Sequence, residues 1–331
     1  MIIPQYWAEA RLQHRERKRQ VTVRRFGWSD TSAAEAQAHA DARVREALER
    51  VLAGEALPRR ERRVAYNGAD GVPIREEIVD RHGDSVITRN GYGALCLNTP
   101  GALFADIDFT VRRDRPNMRW WRVLAGLLIA SIVLALPDAS PARYVGAGLA
   151  GLVGGYLFGG FLAEIVNWLW IKSSGGYERY AMRRVVRFIA RHPGWRVRLY
   201  RTPAGLRLLA LHRLFDPREP EVAACFDALG VDPVFARMCR NQNCFRARVS
   251  PKPWRMGLQR LRPPYSAAWR PEHAALPARR EWIERYQRKA QDYASCRYVD
   301  TMGDGAVDRD ADAVRELHDL LCQAERDLQI A

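Results

Sequence analysis

Two aspartates stand two residues apart in the segment ALFADIDF, Ala102 to Phe109. In a strand, alternate residues share a face, so Asp106 and Asp108 project the same way. Two carboxylates on one face of an otherwise apolar strand are costly unless something compensates them. A divalent cation, Mg²⁺ or Mn²⁺, is one solution, because such ions take one or two carboxylates together with phosphate oxygens, and two-metal phosphoryl transfer uses pairs of this kind. Solvent or an arginine partner is the other. Two basic segments favour the cation. YRTPAGLRLLALH, Tyr200 to His212, sets a glycine turn ahead of Arg207 and His212. FRARVSPKPWR, Phe245 to Arg255, carries Arg246 and Arg248 on alternate positions, then Lys252 and Arg255. Arginines held on one face suit bidentate phosphate contact. Together the three segments outline a nucleoside triphosphate site, with Asp106 and Asp108 as the catalytic, metal-holding pair and Arg207, His212, Arg246, Arg248 and Lys252 as phosphate contacts.

The order FADIDF, TPAGLRLL, FRARVSPK resembles the catalytic core of archaeo-eukaryotic-type primase–polymerases. The resemblance covers Ala102 to Phe109 and Trp195 to Arg255, under a third of the chain. It implies that Asp106 and Asp108 are metal ligands, that Thr202, Gly205 and Arg207 occupy the nucleotide-contacting turn, and that Arg248 and Lys252 belong to the third motif. Arginine stands at Arg207 where that family carries a histidine. The implied activity is at most that of a divergent metal-dependent nucleotidyltransferase.

The thiols and imidazoles offer less. Cys239 and Cys244 are spaced C-x₄-C, whereas zinc sites usually draw on two such pairs. Cys225, Cys296, His212 and His318 could add ligands, but nothing in their spacing requires it, and buried free thiols are the simpler expectation. His14, His39, His82, His192 and His273 are isolated. No Walker A, HExxH or GxSxG pattern occurs.

The elements that must position these groups read as α/β. Val21 to Trp28 is a short strand candidate. Ser32 and Glu35 open a helix that runs to Ala53, with Gly54 as its stop. VPIREEIVDR and SVITRN flank the turn HGD as a β-hairpin. Further on, a helix is expected over Tyr177 to His192, then two strands around the turn TPAG, helices over Glu219 to Leu229 and Pro233 to Asn243, a strand at CFRARVS, and amphipathic helices over Glu281 to Tyr293 and Asp310 to Leu328. Strands occur on both sides of a long apolar region, and neither side alone makes a convincing sheet. The expected architecture is therefore one cytoplasmic α/β (α+β) domain, residues 1–111 and 177–331, interrupted at 112–176 by a transmembrane helical hairpin.

That hairpin rests on two apolar runs, Trp120 to Leu136 and Tyr144 to Ile171. A membrane-spanning helix needs about 20 apolar residues, with about 17 as the lower bound. The second run meets this easily and the first at the short end. Arg112, Arg113, Arg115, Arg119 and Arg122 precede the pair; Lys172, Arg179, Arg183, Arg184 and Arg187 follow it. The positive-inside rule then puts both termini in the cytoplasm and the connecting loop outside a bacterial inner membrane. Gly151, Gly155 and Gly159 line one helical face, which serves either packing within the hairpin or homodimerisation in the bilayer.

Composition limits the function without naming it. The 331 residues are 47% hydrophobic and 27% charged, which excludes a disordered chain, and the net charge is +15. Only Lys18, Lys172, Lys252 and Lys289 are lysines; an arginine-heavy, alanine-rich chain is also what a GC-rich genome encodes. The basic surface could meet anionic lipid or nucleic acid. Two functions stay open: a membrane-anchored domain that binds nucleotide or nucleic acid, and a non-enzymatic membrane protein with a soluble interaction or assembly domain.

Overall fold

The computed structural model describes residues 1–16, 19–61, 72–109, 118–135, 141–173, 175–262 and 269–331. Arg112, Arg113, Arg115, residues 136–140 and Tyr265 lie outside the described residues. The fold is mixed α/β. In chain order the elements are β1 (Tyr6–Glu16), β2 (Arg19–Ser29), α1 (Ala33–Leu52), β3 (Glu77–His82), β4 (Ser85–Arg89), β5 (Leu95–Thr99), β6 (Phe104–Asp108), α2 (Met118–Ala135), α3 (Pro141–Ser173) and α4 (Gly176–Arg191). They continue with β7 (Val197–Thr202), β8 (Gly205–Ala210), α5 (Pro220–Leu229), α6 (Pro233–Gln242), β9 (Phe245–Arg248), α7 (Pro277–Ala290), β10 (Tyr293–Ala294), β11 (Arg297–Met302), α8 (Arg309–Cys322) and β12 (Gln329–Ile330). The chain divides into two compact units: residues 1–106, 188–203 and 207–331 form the larger, and 107–187 with 204–206 the smaller.

In the larger unit, β1 and β2 pair antiparallel, Tyr6 opposite Ser29. Helix α1 covers them. Its Ala40, Val44, Ala47 and Val51 recur at three- and four-residue intervals, so they form one stripe, and they pack on Ala10, Val21 and Val23. Gly27 permits the close approach, since a Cβ there would fall 2.2 Å from the Ala36 carbonyl oxygen. The helix starts as its sequence dictates: the Ser32 hydroxyl accepts from the Glu35 N–H at 3.1 Å. The Glu35 carboxylate turns to the Ser29 hydroxyl instead of closing a reciprocal box.

Two further sheets have four strands each. The first has the order β3-β4-β5-β9, all antiparallel, with Cys96 opposite Arg248 and Thr99 opposite Phe245. The second has the order β11-β7-β8-β6. Strand β6 ends this order, paired on one side with β8, and just before β6 the Leu103 carbonyl accepts from the Ala210 N–H. Both sheets thus join strands from before and after the apolar helices.

In the smaller unit α2 and α3 lie side by side. Gly159 and Gly155 meet Arg122 and Gly126, while Gly151 meets Gly126 and Ala130, so the two helices run antiparallel. A Cβ on Gly155 would sit 2.5 Å from the Arg122 carbonyl oxygen, and one on Gly151 2.7 Å from that of Gly126. The glycine face is therefore taken up by α2 of the same chain. Only α3 is long and apolar enough to cross a membrane among the described residues, over the 26 residues Pro141–Val166; the apolar part of α2, Trp120–Ala135, is shorter. The expectation of two full-length spans is corrected to this extent: Leu136 lies outside the described residues, and α2 has 18 residues against 33 in α3.

Candidate functional site

Strand β6 brings Asp106 and strand β8 brings Arg207 to adjacent positions in one sheet. The Arg207 Nε donates to Asp106 Oδ1 at 2.6 Å and its Nη2 to Oδ2 at 3.0 Å, a two-pronged pair that occupies both carboxylate oxygens. The third arm of the guanidinium, Nη1, donates to the Arg248 carbonyl at 2.8 Å. Arg207 is 2% exposed, whereas 36% of the Asp106 side chain still meets solvent. Burial favours the neutral form of each group, but their mutual attraction outweighs it: Asp106 is held below the usual carboxylate range and Arg207 above its ordinary value.

This geometry differs from a metal pair facing arginines across a phosphate-wide gap. Arg207 is not across a gap from Asp106; it is bonded to it. The guanidinium neutralises the Asp106 carboxylate. Asp108, at the end of β6, is exposed. Arg246 is also consumed: Nη2 donates to Glu76 Oε1 and Oε2 at 2.9 and 2.7 Å, and Nη1 to Asn98 Oδ1 at 3.1 Å. Thr88 donates to the same Glu76 at 2.8 Å, completing a buried network between β4, β5 and β9. Arg248 donates to the Ser250 carbonyl at 2.8 Å. The Lys252 Nζ lies 5.5 Å from the Trp254 ring. His212 packs between Trp195 and Phe215, with ring centroids at 4.5 and 5.3 Å, and burial lowers its pKa. The expected phosphate contacts are thus dispersed among separate structural tasks.

What lies against Arg207 is a cluster of His318, Cys322 and Cys296. His318 and Cys322 are four residues apart on α8 and share a face. Cys296 comes from the turn between β10 and β11. All three are fully buried, and their ligand atoms lie within 4.8 Å of one another. His318 Nε2 is 3.4 Å from Cys322 Sγ, 4.0 Å from Cys296 Sγ and 3.3 Å from Arg207 Nη1. Its other nitrogen, Nδ1, sits 3.1 Å from Asp319 Oδ1. Asp319 is fixed in turn: the Tyr200 hydroxyl donates to Oδ1 at 2.5 Å, and Arg198 Nη2 stands 2.9 Å from Oδ2. Burial and the carboxylate beside it push the Tyr200 phenol up, so it stays a donor.

In this arrangement burial alone would raise the Cys322 thiol, but the Cys296 thiol and His318 hold it well below its ordinary value. Burial alone would lower His318, but Cys322 and Asp319 raise it. Cys296, hydrogen-bonded to Cys322, is pushed well up. The cluster therefore sets two sulfurs against an imidazole that Asp319 orients. The i, i+4 spacing of His318 and Cys322 was the legible signal. Cys239 and Cys244 are buried free thiols, and burial raises both, Cys244 to about 11. Comparison with protein-family models, with curated proteins and with solved structures finds no match to this chain.

Proposed function

We propose that the chain is a two-span inner-membrane protein whose α/β unit serves interaction or assembly at the cytoplasmic surface and is not a nucleotidyltransferase. The observation that carries this reading is the outer surface of α3. Leu149 is 60% exposed, Leu152 75% and Phe161 65%, and Val145, Val153, Tyr156, Leu157 and Phe158 are exposed with them. A core helix of a soluble protein would bury such a row; a helix in lipid need not. The short helix α2 belongs at the same depth, because it lies antiparallel against Gly151, Gly155 and Gly159 in the middle of the apolar window. Its apolar part, Trp120–Ala135, rises about 24 Å, a short span against the roughly 30 Å of a hydrocarbon core. Basic residues flank the pair on the side of both termini and are sparse in the connecting loop.

The second half of the reading rests on Asp106. A carboxylate whose two oxygens are engaged by a buried arginine is a structural partner, not a metal ligand poised for phosphates. Reporter fusions at Ser140 and at Ala331 test the topology. The expected result is a periplasmic signal from Ser140 and a cytoplasmic one from Ala331; the reverse at either position contradicts it.

A further inference from the structure

Cys296, His318 and Cys322 form a site with the dimensions of a tetrahedral metal centre, and it plays no part in the membrane reading. With Zn–S near 2.3 Å and Zn–N near 2.05 Å, tetrahedral angles require S···N separations of about 3.6 Å and S···S of about 3.8 Å. The two S···N distances are 3.4 and 4.0 Å, on either side of that value, and the whole set fits inside 4.8 Å. The donor set is two thiolates and one imidazole, which is borderline-soft and suits zinc rather than Mg²⁺ or Ca²⁺. Two thiolates and Zn²⁺ sum to zero charge, so the ion can lie in a fully buried place without a net cost in charge.

The surroundings are built as metal sites are built. A ligating histidine commonly donates its second N–H to a carboxylate, which fixes tautomer and ring orientation. Asp319 is placed for that at 3.1 Å from Nδ1, with Tyr200 and Arg198 holding it. Nε2 is thereby directed at the two sulfurs. Arg207 also approaches Nε2, but its bonds to Asp106 and to the Arg248 carbonyl hold it without His318. The site would clamp two segments that already touch, since Ser295 N–H bonds to the Cys322 carbonyl at 3.0 Å and Tyr298 N–H to that of Ala324 at 2.9 Å.

We propose that Cys296, His318 and Cys322 bind one zinc ion through two sulfurs and His318 Nε2, with Asp319 as the positioning residue and a fourth position left for water. Both thiols give up their protons as the ion binds. The ion staples the end of α8 to the turn before β11.

Zinc content of the full chain, purified in detergent with a non-chelating reductant, tests this. The expected result is about one zinc per chain, reduced at least tenfold in Cys296→Ser and in Cys322→Ser and retained in Cys225→Ser. Asp319→Asn should weaken zinc about 10- to 100-fold in competition with a chelator. Where the serine variants do not fold, the wild-type chain grown on cobalt decides: thiolate-to-cobalt charge transfer and the strong visible bands of tetrahedral cobalt are expected. Zinc well below one equivalent, with either two free thiols or a Cys296–Cys322 disulfide seen as the loss of two hydrogens in the mass, overturns the proposal, as does a cobalt-grown chain without those bands.

Discussion

At the residue scale, the decisive feature is the pairing of Asp106 with Arg207. The two aspartates were legible as a pair that needed positive charge; which charge was not. Sequence spacing places Asp106 and Asp108 on one face, but it does not say that β8 lies next to β6 and delivers an arginine at bonding distance. The same applies to Cys296, which meets His318 and Cys322 only through the fold. The pair makes a mutational prediction. Asp106→Asn leaves a buried guanidinium without its counter-charge, which costs about 3 kcal/mol, the low end for such a loss because Asp106 is partly open to water. Unfolding of the detergent-solubilised chain measures it. Adding Arg207→Met removes the orphaned charge and should recover more than half of the loss; a double variant no better than the single one would show that the guanidinium was not the cause.

The pair also sets a pH dependence. Asp106 titrates lower in the folded chain than in the unfolded one, so its contribution is fully present above the unfolded value near pH 4 and is lost as pH falls through the folded value. Thermal unfolding followed from pH 5 downward should show a steeper decline in the parent than in Asp106→Asn. Parallel curves would mean that the carboxylate does not gain its charge stabilisation on folding.

At the scale of elements, long periodic segments were readable and short or highly charged ones were not. The stripe of α1, the hairpin of β3 and β4, and the strands β7 and β8 around TPAG all appear where their apolar spacing and turn residues put them. Strand β1 was hidden because arginines, glutamates, Gln13 and His14 fill it, and it is a strand through its full-length pairing with β2. Strands β10 and β12 have two residues each, too few to display any period. The glycines of α3 carry the prediction at this scale. Gly155→Leu must displace the backbone of α2, since even a Cβ would fall 2.5 Å from the Arg122 oxygen, and it should lower the thermal midpoint in detergent. Gly148→Leu, where a Cβ meets nothing within 4 Å, should leave it unchanged. Equal effects at the two positions would mean that close packing of α2 on α3 is not what the glycines serve.

At the scale of the whole molecule, the chain's organisation follows from the strands being shared. Neither 1–109 nor 175–331 holds a complete set, so β5 finds β9 and β6 finds β8 across the intervening apolar helices. That much was implied by an apolar β6 with no upstream cover. The role of the helices themselves rests on the exposed apolar surface of α3, and extraction of the full chain from bacterial membranes by alkaline carbonate tests it most directly. The membrane reading predicts that the chain stays in the pellet through carbonate and is released only by detergent, and that replacing Leu149, Leu152 and Phe158 with lysine on the exposed surface releases it. A parent chain that appears in the soluble fraction, folded and without detergent, would contradict the account.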